Sequence, residues 1–114
     1  MSPLFHPSID DVPLEAVLYA LSDPVRMAIF ADIAASSMPQ TCSSFVSVSD
    51  RTIPKSTLSQ HFKALREAGL IRSERHGVEM RNVSRCAEVD GRFPGLLPAI
   101  FSAHFAQARG KAAG

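Results

Sequence analysis

Ser56, Thr57, Ser59, Gln60, His61 and Lys63 crowd short and medium polar side chains into one stretch, with Lys55 ahead of them and Arg66 behind. Hydroxyls and a carboxamide both donate and accept hydrogen bonds. They can therefore read the donor and acceptor pattern that base edges present in a major groove. Cations at the flanks suit phosphate oxygens, which fix register rather than sequence. A helix face that is only solvated is normally built from Glu and Lys, whereas Ser and Thr weaken a helix slightly. The composition of this stretch points to nucleic-acid contact in a helix-turn-helix geometry.

Such side chains need a rigid carrier. PKSTLSQHFKALREAGL, residues 54–70, reads as one amphipathic helix, because Leu58, Phe62 and Leu65 recur at i, i+4 and i+7. Ser56 and Thr57 are expected to accept first-turn N–H groups, Pro54 to precede them, and Gly69 to stop the helix. Upstream, Ser22-Asp23-Pro24 is a helix start. That helix is expected to run to about Ser36, with Val25, Ala28, Ile29 and Ile33 as its core stripe, Phe30 beside them and Arg26 on the exposed side. Residues 37–51 are irregular: Pro39 breaks the chain, Thr41 or Cys42 begins a short helix through Phe45 and Val46, and SVSDRT reads as a turn.

After Gly69, Leu70–Arg75 and Met80–Ser84 flank the turn His76-Gly77-Val78-Glu79 and predict a β-hairpin. Arg72, Arg75, Arg81 and Arg85 are expected on one of its faces, making it a wing that straddles phosphates or touches a minor groove. A first helix, capped by Ser8 or Asp10 and carrying Pro13 in its first turn, reaches about Leu21. Val89–Pro98 is turn-rich, and a last helix follows with Leu96, Leu97, Ile100, Phe101, Phe105 and Ala108, ending near Arg109. These terminal helices are so apolar that a second chain is the expected cover, since a small domain has few elements to offer. Residues 1–8 are expected as a flexible arm, 9–109 as the domain and 110–114 as a loose tail. The fold class is mainly α with a small β-hairpin.

With 114 residues one domain is expected, and the net charge is only +1. Its distribution is uneven. Arg51 to Arg85 holds eight basic and three acidic residues, a net +5, while the remainder carries four basic and eight acidic, a net −4. A basic middle between acidic ends attracts a polyanion to one side of the molecule. No apolar run of about 18 residues or secretory leader is read, so neither a membrane span nor export is expected. Two isolated thiols, Cys42 and Cys86, fit a reducing cytoplasm better than a disulfide scaffold. No Ser/His/Asp ordering, phosphate-cradling Gly loop or carboxylate pair beside a His is found, so neither catalysis nor a cofactor is expected.

ALSDPVRMAIF followed by KSTLSQHFKALREAGLI resembles the ArsR-type winged helix-turn-helix repressors, over about Leu14 to Val83. The resemblance implies a homodimer formed by the first and last helices, set on a palindromic operator in double-stranded DNA with two recognition helices in successive major grooves. It implies base-reading positions at Ser56, Thr57, Ser59, Gln60 and His61, with the wing spanning Arg75 to Arg81. Together with the flanking cations, the expected DNA-binding set is Lys55, Ser56, Thr57, Ser59, Gln60, His61, Lys63, Arg66, Arg72, Arg75 and Arg81.

Many relatives sense metals, and this chain departs from their sites. One family site uses Cys-x-Cys before the recognition helix, where this chain has Cys42 followed by serines. Another uses Asp and His pairs on the final helix, where this chain offers Asp90 and His104 alone. No metal is expected, and no effector is assigned. Redox relatives place their second thiol on the last helix, whereas Cys86 follows the second wing strand, so inert, buried thiols are expected. The alternative reading is a dimeric interaction module that kept the winged fold and lost operator binding. Its motives are the Ser-rich stretch before Pro54 and the acidic Glu74 and Glu79.

Overall fold

The computed structural model of the chain describes residues 4–36, 40–41, 47–48 and 51–113. Its centre is α2 (Pro24–Ala35). Asp23 starts it, accepting the Arg26 N–H at 3.0 Å, a local signal that needs no tertiary help. Met27, Ile29, Phe30, Ala31 and Ile33 are all buried. A helix apolar on nearly every side must be covered on every side. The expected stripe is thus wider than read, with Val25 and Ala28 at its half-buried margin.

Ahead of α2, the single first helix expected from Ser8 to Leu21 is two pieces. A 3-10 turn spans Ile9–Asp11, and α1 covers Leu14–Ala20. Val12 and Pro13 between them are extended, because a proline pushes its predecessor out of the helical region. Arg26 is also placed differently from expectation. It folds back to donate to the Ala20 and Tyr19 carbonyls and lies over the Tyr19 ring at 5.8 Å. It thereby covers the unsatisfied carbonyl end of α1, where a cation is favoured.

Helix α3 (Lys55–Glu67) is the amphipathic helix expected, with Leu58, Phe62 and Leu65 buried. Its start differs. Pro54 is the cap residue and no side chain caps the helix, so Ser56 and Thr57 lie inside the first turn, exposed. Its end follows the sequence: Gly69 has φ +73°, and Leu70 N–H reaches back to the Leu65 carbonyl at 3.0 Å, the left-handed stop that glycine permits. A Cβ at Gly69 would sit 3.0 Å from Val12 Cγ2 and 3.2 Å from Ile9 Cδ1. Gly69→Ala is therefore expected to destabilise the domain by about 1–3 kcal/mol through backbone strain and crowding. A urea titration should show an earlier midpoint at unchanged slope, and an unmoved midpoint contradicts the packing described.

The hairpin is β4 (Ile71–His76) and β5 (Glu79–Ser84), antiparallel, with Ser73 opposite Asn82 and Glu74 opposite Arg81. Gly77 turns it with φ +65°. A strand β1 (Gln40–Thr41) adds to the far side of β5, so the sheet order is β1-β5-β4. Thr41 is therefore in a strand, not a helix, because β5 offers an open hydrogen-bonding edge. SVSDRT, expected as a turn, contains two short strands, β2 (Ser47–Val48) and β3 (Arg51–Thr52), paired antiparallel. Cys42, Phe45 and Val46, the rest of the expected short helix, lie outside the described residues.

The turn-rich stretch after Val89 is corrected as well. A helix, α4 (Cys86–Arg92), precedes the turn, and Val89 is its buried anchor. Helix α5 (Leu96–Ala113) then follows. Pro98 falls in its first turn, where a missing N–H costs nothing. The helix continues past Arg109 through most of the expected tail, since one glycine among Ala, Lys and Arg costs only about 1 kcal/mol. Phe101 of α5 stacks on Phe30 of α2 at 5.5 Å and on Phe105 at 6.4 Å. No described helix is long and apolar enough to cross a membrane.

Candidate nucleic-acid interface

Helix α3 presents Lys55, Ser56, Thr57, Ser59, Gln60 and Lys63 to solvent. Ser56, Ser59, Gln60 and Lys63 stand at i, i+3, i+4 and i+7 and form the outward row directly opposite the buried Leu58, Phe62 and Leu65. The row is therefore held by a packed core face, not by its own contacts. Lys63 pairs with Glu67 at 3.8 Å. An exposed pair of this kind is worth little, so Lys63 can exchange its carboxylate for a stronger anion at small cost.

The hairpin stands beside this row. Pairing puts Ser73, Arg75, Met80 and Asn82 on one face and Arg72, Glu74, His76, Glu79, Arg81 and Val83 on the other. Arg75 is exposed. Val78 at the hairpin tip is 97% exposed. Glu79 accepts from Arg81 at 3.3 Å, and Glu74 lies 3.4 Å from His76. An exposed hairpin carrying Arg75 and a polar helix row on one small scaffold are the parts of a winged helix-turn-helix.

Residues 21–74 match the family described as a helix-turn-helix domain. Among solved structures, an ArsR-like transcriptional regulator from Rhodococcus sp. RHA1 superposes with a TM-score of 0.57 at 26% identity, over 87% of this chain and 92% of that one. The match and this neighbour together support an ArsR-type winged helix-turn-helix regulator. The chain is a DNA-binding transcriptional regulator. No curated protein sequence matches the chain.

Within this ArsR-type frame, not every residue expected at the interface faces outward. His61 is half-buried, with its Nδ1 enclosed and without a hydrogen-bond partner among the described residues. It faces the start of α2, where its charge is one of the influences on Asp23. Burial pushes the Asp23 carboxyl upward, but the Arg26 N–H, then His61, the Val25 N–H and the Arg26 charge together hold it below its ordinary value. Arg66 turns to the sheet and donates to Ser73 Oγ at 3.4 Å. Arg72 sits 3.9 Å from Glu88 of α4.

Arg85, expected on the wing, is 5% exposed. It donates twice to Glu88, at 2.8 and 2.9 Å, and once to the Pro7 carbonyl at 2.9 Å. The hydrogen bond from Arg85 is the main reason that the Glu88 carboxyl is held below its ordinary value. The expectation of four arginines on one hairpin face is thus corrected. Arg75 and Arg72 alternate across the pleat, Arg81 shares a face with two glutamates, and Arg85 belongs to the join between arm and α4. Of the expected contact cations, Lys63, Arg72 and Arg81 stand in ion pairs and Arg66 donates to Ser73, whereas Lys55 and Arg75 carry no ion pair among the described residues.

Sequence reading missed the tie between α1 and α2 through Arg26, and the docking of the arm. Residues 4–8 were expected to be flexible. Instead His6 accepts the Ser73 N–H at 3.0 Å and Pro7 accepts from Arg85. A histidine near a chain end carries no local signal of such a partner. Cys86 is a free, half-buried thiol on an open apolar cavity of about 290 Å³, lined also by Asp90, Leu97 and Phe101. Cys42 lies outside the described residues, and with it any pairing of the two thiols. Asp90 is on α4 and His104 on α5. The described residues include no group of three or more His, Cys, Asp or Glu side chains able to hold a metal ion.

Proposed function

We propose that this regulator is a homodimeric repressor that sets two α3 helices into successive major grooves of a palindromic operator. The observation that carries the reading is the outward row of α3. Ser56, Ser59, Gln60 and Lys63 are all exposed on a helix whose opposite face is fully packed. Rigid carriage is what groove reading needs, because base contacts discriminate only in fixed geometry. Thr57 flanks the row, and Lys55, Lys63 and Arg75 are the phosphate contacts. Arg81 joins them once the polyanion displaces Glu79. His61, Arg66 and Arg72 act behind the interface, holding α3 and the hairpin.

The dimer is supported by apolar surface at both chain ends. Leu14, Leu18 and Tyr19 of α1 are 37%, 45% and 74% exposed, and Phe105 of α5 is 44% exposed. A second copy covering these patches through a two-fold axis must set the α3 pair about 34 Å apart, one turn of the duplex, for both to enter successive major grooves. Repression then follows from occupancy of the promoter, in the cytoplasm and without catalysis.

Titration of labelled promoter DNA at two salt concentrations tests the reading. Tight binding to a preferred site, falling steeply with salt, is expected because neutralised phosphates release counterions. Sequence-blind or absent binding would instead favour a winged interaction module, for which Glu74 and Glu79 on the hairpin are the supporting feature. Arg75→Ala is expected to weaken binding to all sequences alike. It should flatten the log–log salt slope by about 0.9 per lost phosphate contact, roughly 1.8 for a dimer. An unchanged slope removes the hairpin tip from the contact surface.

A further inference from the structure

Ser73 lies at the junction of three parts of the molecule. It is 2% exposed, and its partner across the ladder, Asn82, is fully buried. Ser73 Oγ donates to Asn82 Oδ1 at 2.6 Å and accepts from Arg66 of α3 at 3.4 Å. Its backbone N–H points away from β5, and β4 is an edge strand of the described sheet, so no strand receives it. A buried N–H on such an edge needs a partner from outside the sheet. His6 Nε2 of the N-terminal arm supplies it at 3.0 Å, and the Arg85–Pro7 bond fixes the arm one residue further on.

We propose that His6 is a positioning residue for DNA binding: its neutral ring holds Ser73, and through Ser73 the hairpin against α3, and its protonation releases the arm and loosens that alignment. The inference rests on the reading of α3 and the hairpin as the DNA-binding surface. A backbone N–H can only donate, so Nε2 must carry its lone pair for the bond to exist. An imidazolium offers two donors and no acceptor.

The charged groups facing the ring are Arg66 from α3, Arg72 from β4 and Arg85 at the start of α4. Glu88 of α4 is engaged by Arg85 and Arg72. Burial first, then the charges of Arg72, Arg66 and Arg85, lower the His6 pKa below 6.5, while a hydrogen bond to the Leu4 backbone pulls the other way. The sign follows. The contact is complete above pH 6.5 and is lost as the pH falls from there through the lowered value.

The test uses the full chain, first without DNA. Amide hydrogen exchange and the ¹⁵N–¹H shift of Ser73 are followed against pH in the unmodified protein, in His6→Gln and in His6→Ala. The Gln carboxamide oxygen can accept the same N–H at every pH. In the unmodified protein, Ser73 protection is expected to fall about five- to tenfold across a single step. In His6→Gln it stays high with no step, and in His6→Ala it is low throughout. Affinity for the preferred DNA site should fall across the same step in the unmodified protein and not in His6→Gln.

A Ser73 amide that ignores the step, or a step that survives in His6→Gln, overturns the role given to His6. An amide that responds while DNA affinity does not overturns the coupling from arm to interface. A chain that binds no DNA at any pH overturns the DNA reading, and the amide measurement still decides the arm contact by itself.

Discussion

Gln60→Ala is expected to cost about 1–3 kcal/mol of base discrimination at each half-site, or roughly 2–6 kcal/mol in a two-fold complex if the half-sites add. Gln60 is exposed in the middle of the outward row, and a carboxamide can both donate to and accept from one adenine edge. Alanine retains neither group. It is, however, the better helix former, so α3 should be no less stable. The loss should therefore appear as relaxed preference at one or two base pairs, with the salt slope unchanged, because no phosphate contact is removed. Binding measured on a panel of single-base operator variants reads this directly. If the variant ranks that panel as the unmodified protein does, Gln60 does not read bases.

The second large effect is on the scaffold. Phe62→Ala removes a side chain that is 1% exposed on the core face of α3, and such truncations cost about 3–5 kcal/mol. For a domain whose whole stability is about 5–15 kcal/mol, that is a large share. The outward row loses its seat even though none of its members is altered. Thermal or urea unfolding should show the loss, and DNA affinity should fall for every sequence. Phe62→Leu, which keeps most of the volume, should restore the greater part of both. A Phe62→Ala protein as stable as the original would mean that α3 is not held by this face.

Much of the site was legible because its signals are short-range. The spacing of Leu58, Phe62 and Leu65 imposes one buried face on α3 wherever that helix is docked, and thereby the exposure of Ser56, Ser59 and Gln60. Asp23-Pro24 starts α2 and Gly69 stops α3 through atoms only a few residues away. Gly77 turns the hairpin in the same manner. The winged arrangement and the basic middle of the chain followed from these features.

The misreadings have a different origin. Gly91 and Pro94 read as turns, yet α4 forms between Arg85 and Phe93 because Val89 is buried and Arg85 locks onto Glu88. Pro13 read as a tolerable first-turn residue, yet it divides the first helix into a 3-10 turn and α1.

From order and spacing alone came the helices around the polar row, the hairpin after it and the excess of positive charge near both. Which charges are available came from packing. Arg66, Arg72, Arg75, Arg81 and Arg85 are the same residue type in one stretch. Ser73, Glu88, Glu79 and the Pro7 carbonyl engage four of them to different degrees, and Arg75 is left without an ion pair among the described residues. Helix periodicity and turn geometry act over a few bonds and survive in any fold. The freedom of a cation or the tautomer of His6 depends on groups that come within 3–4 Å only after distant segments meet.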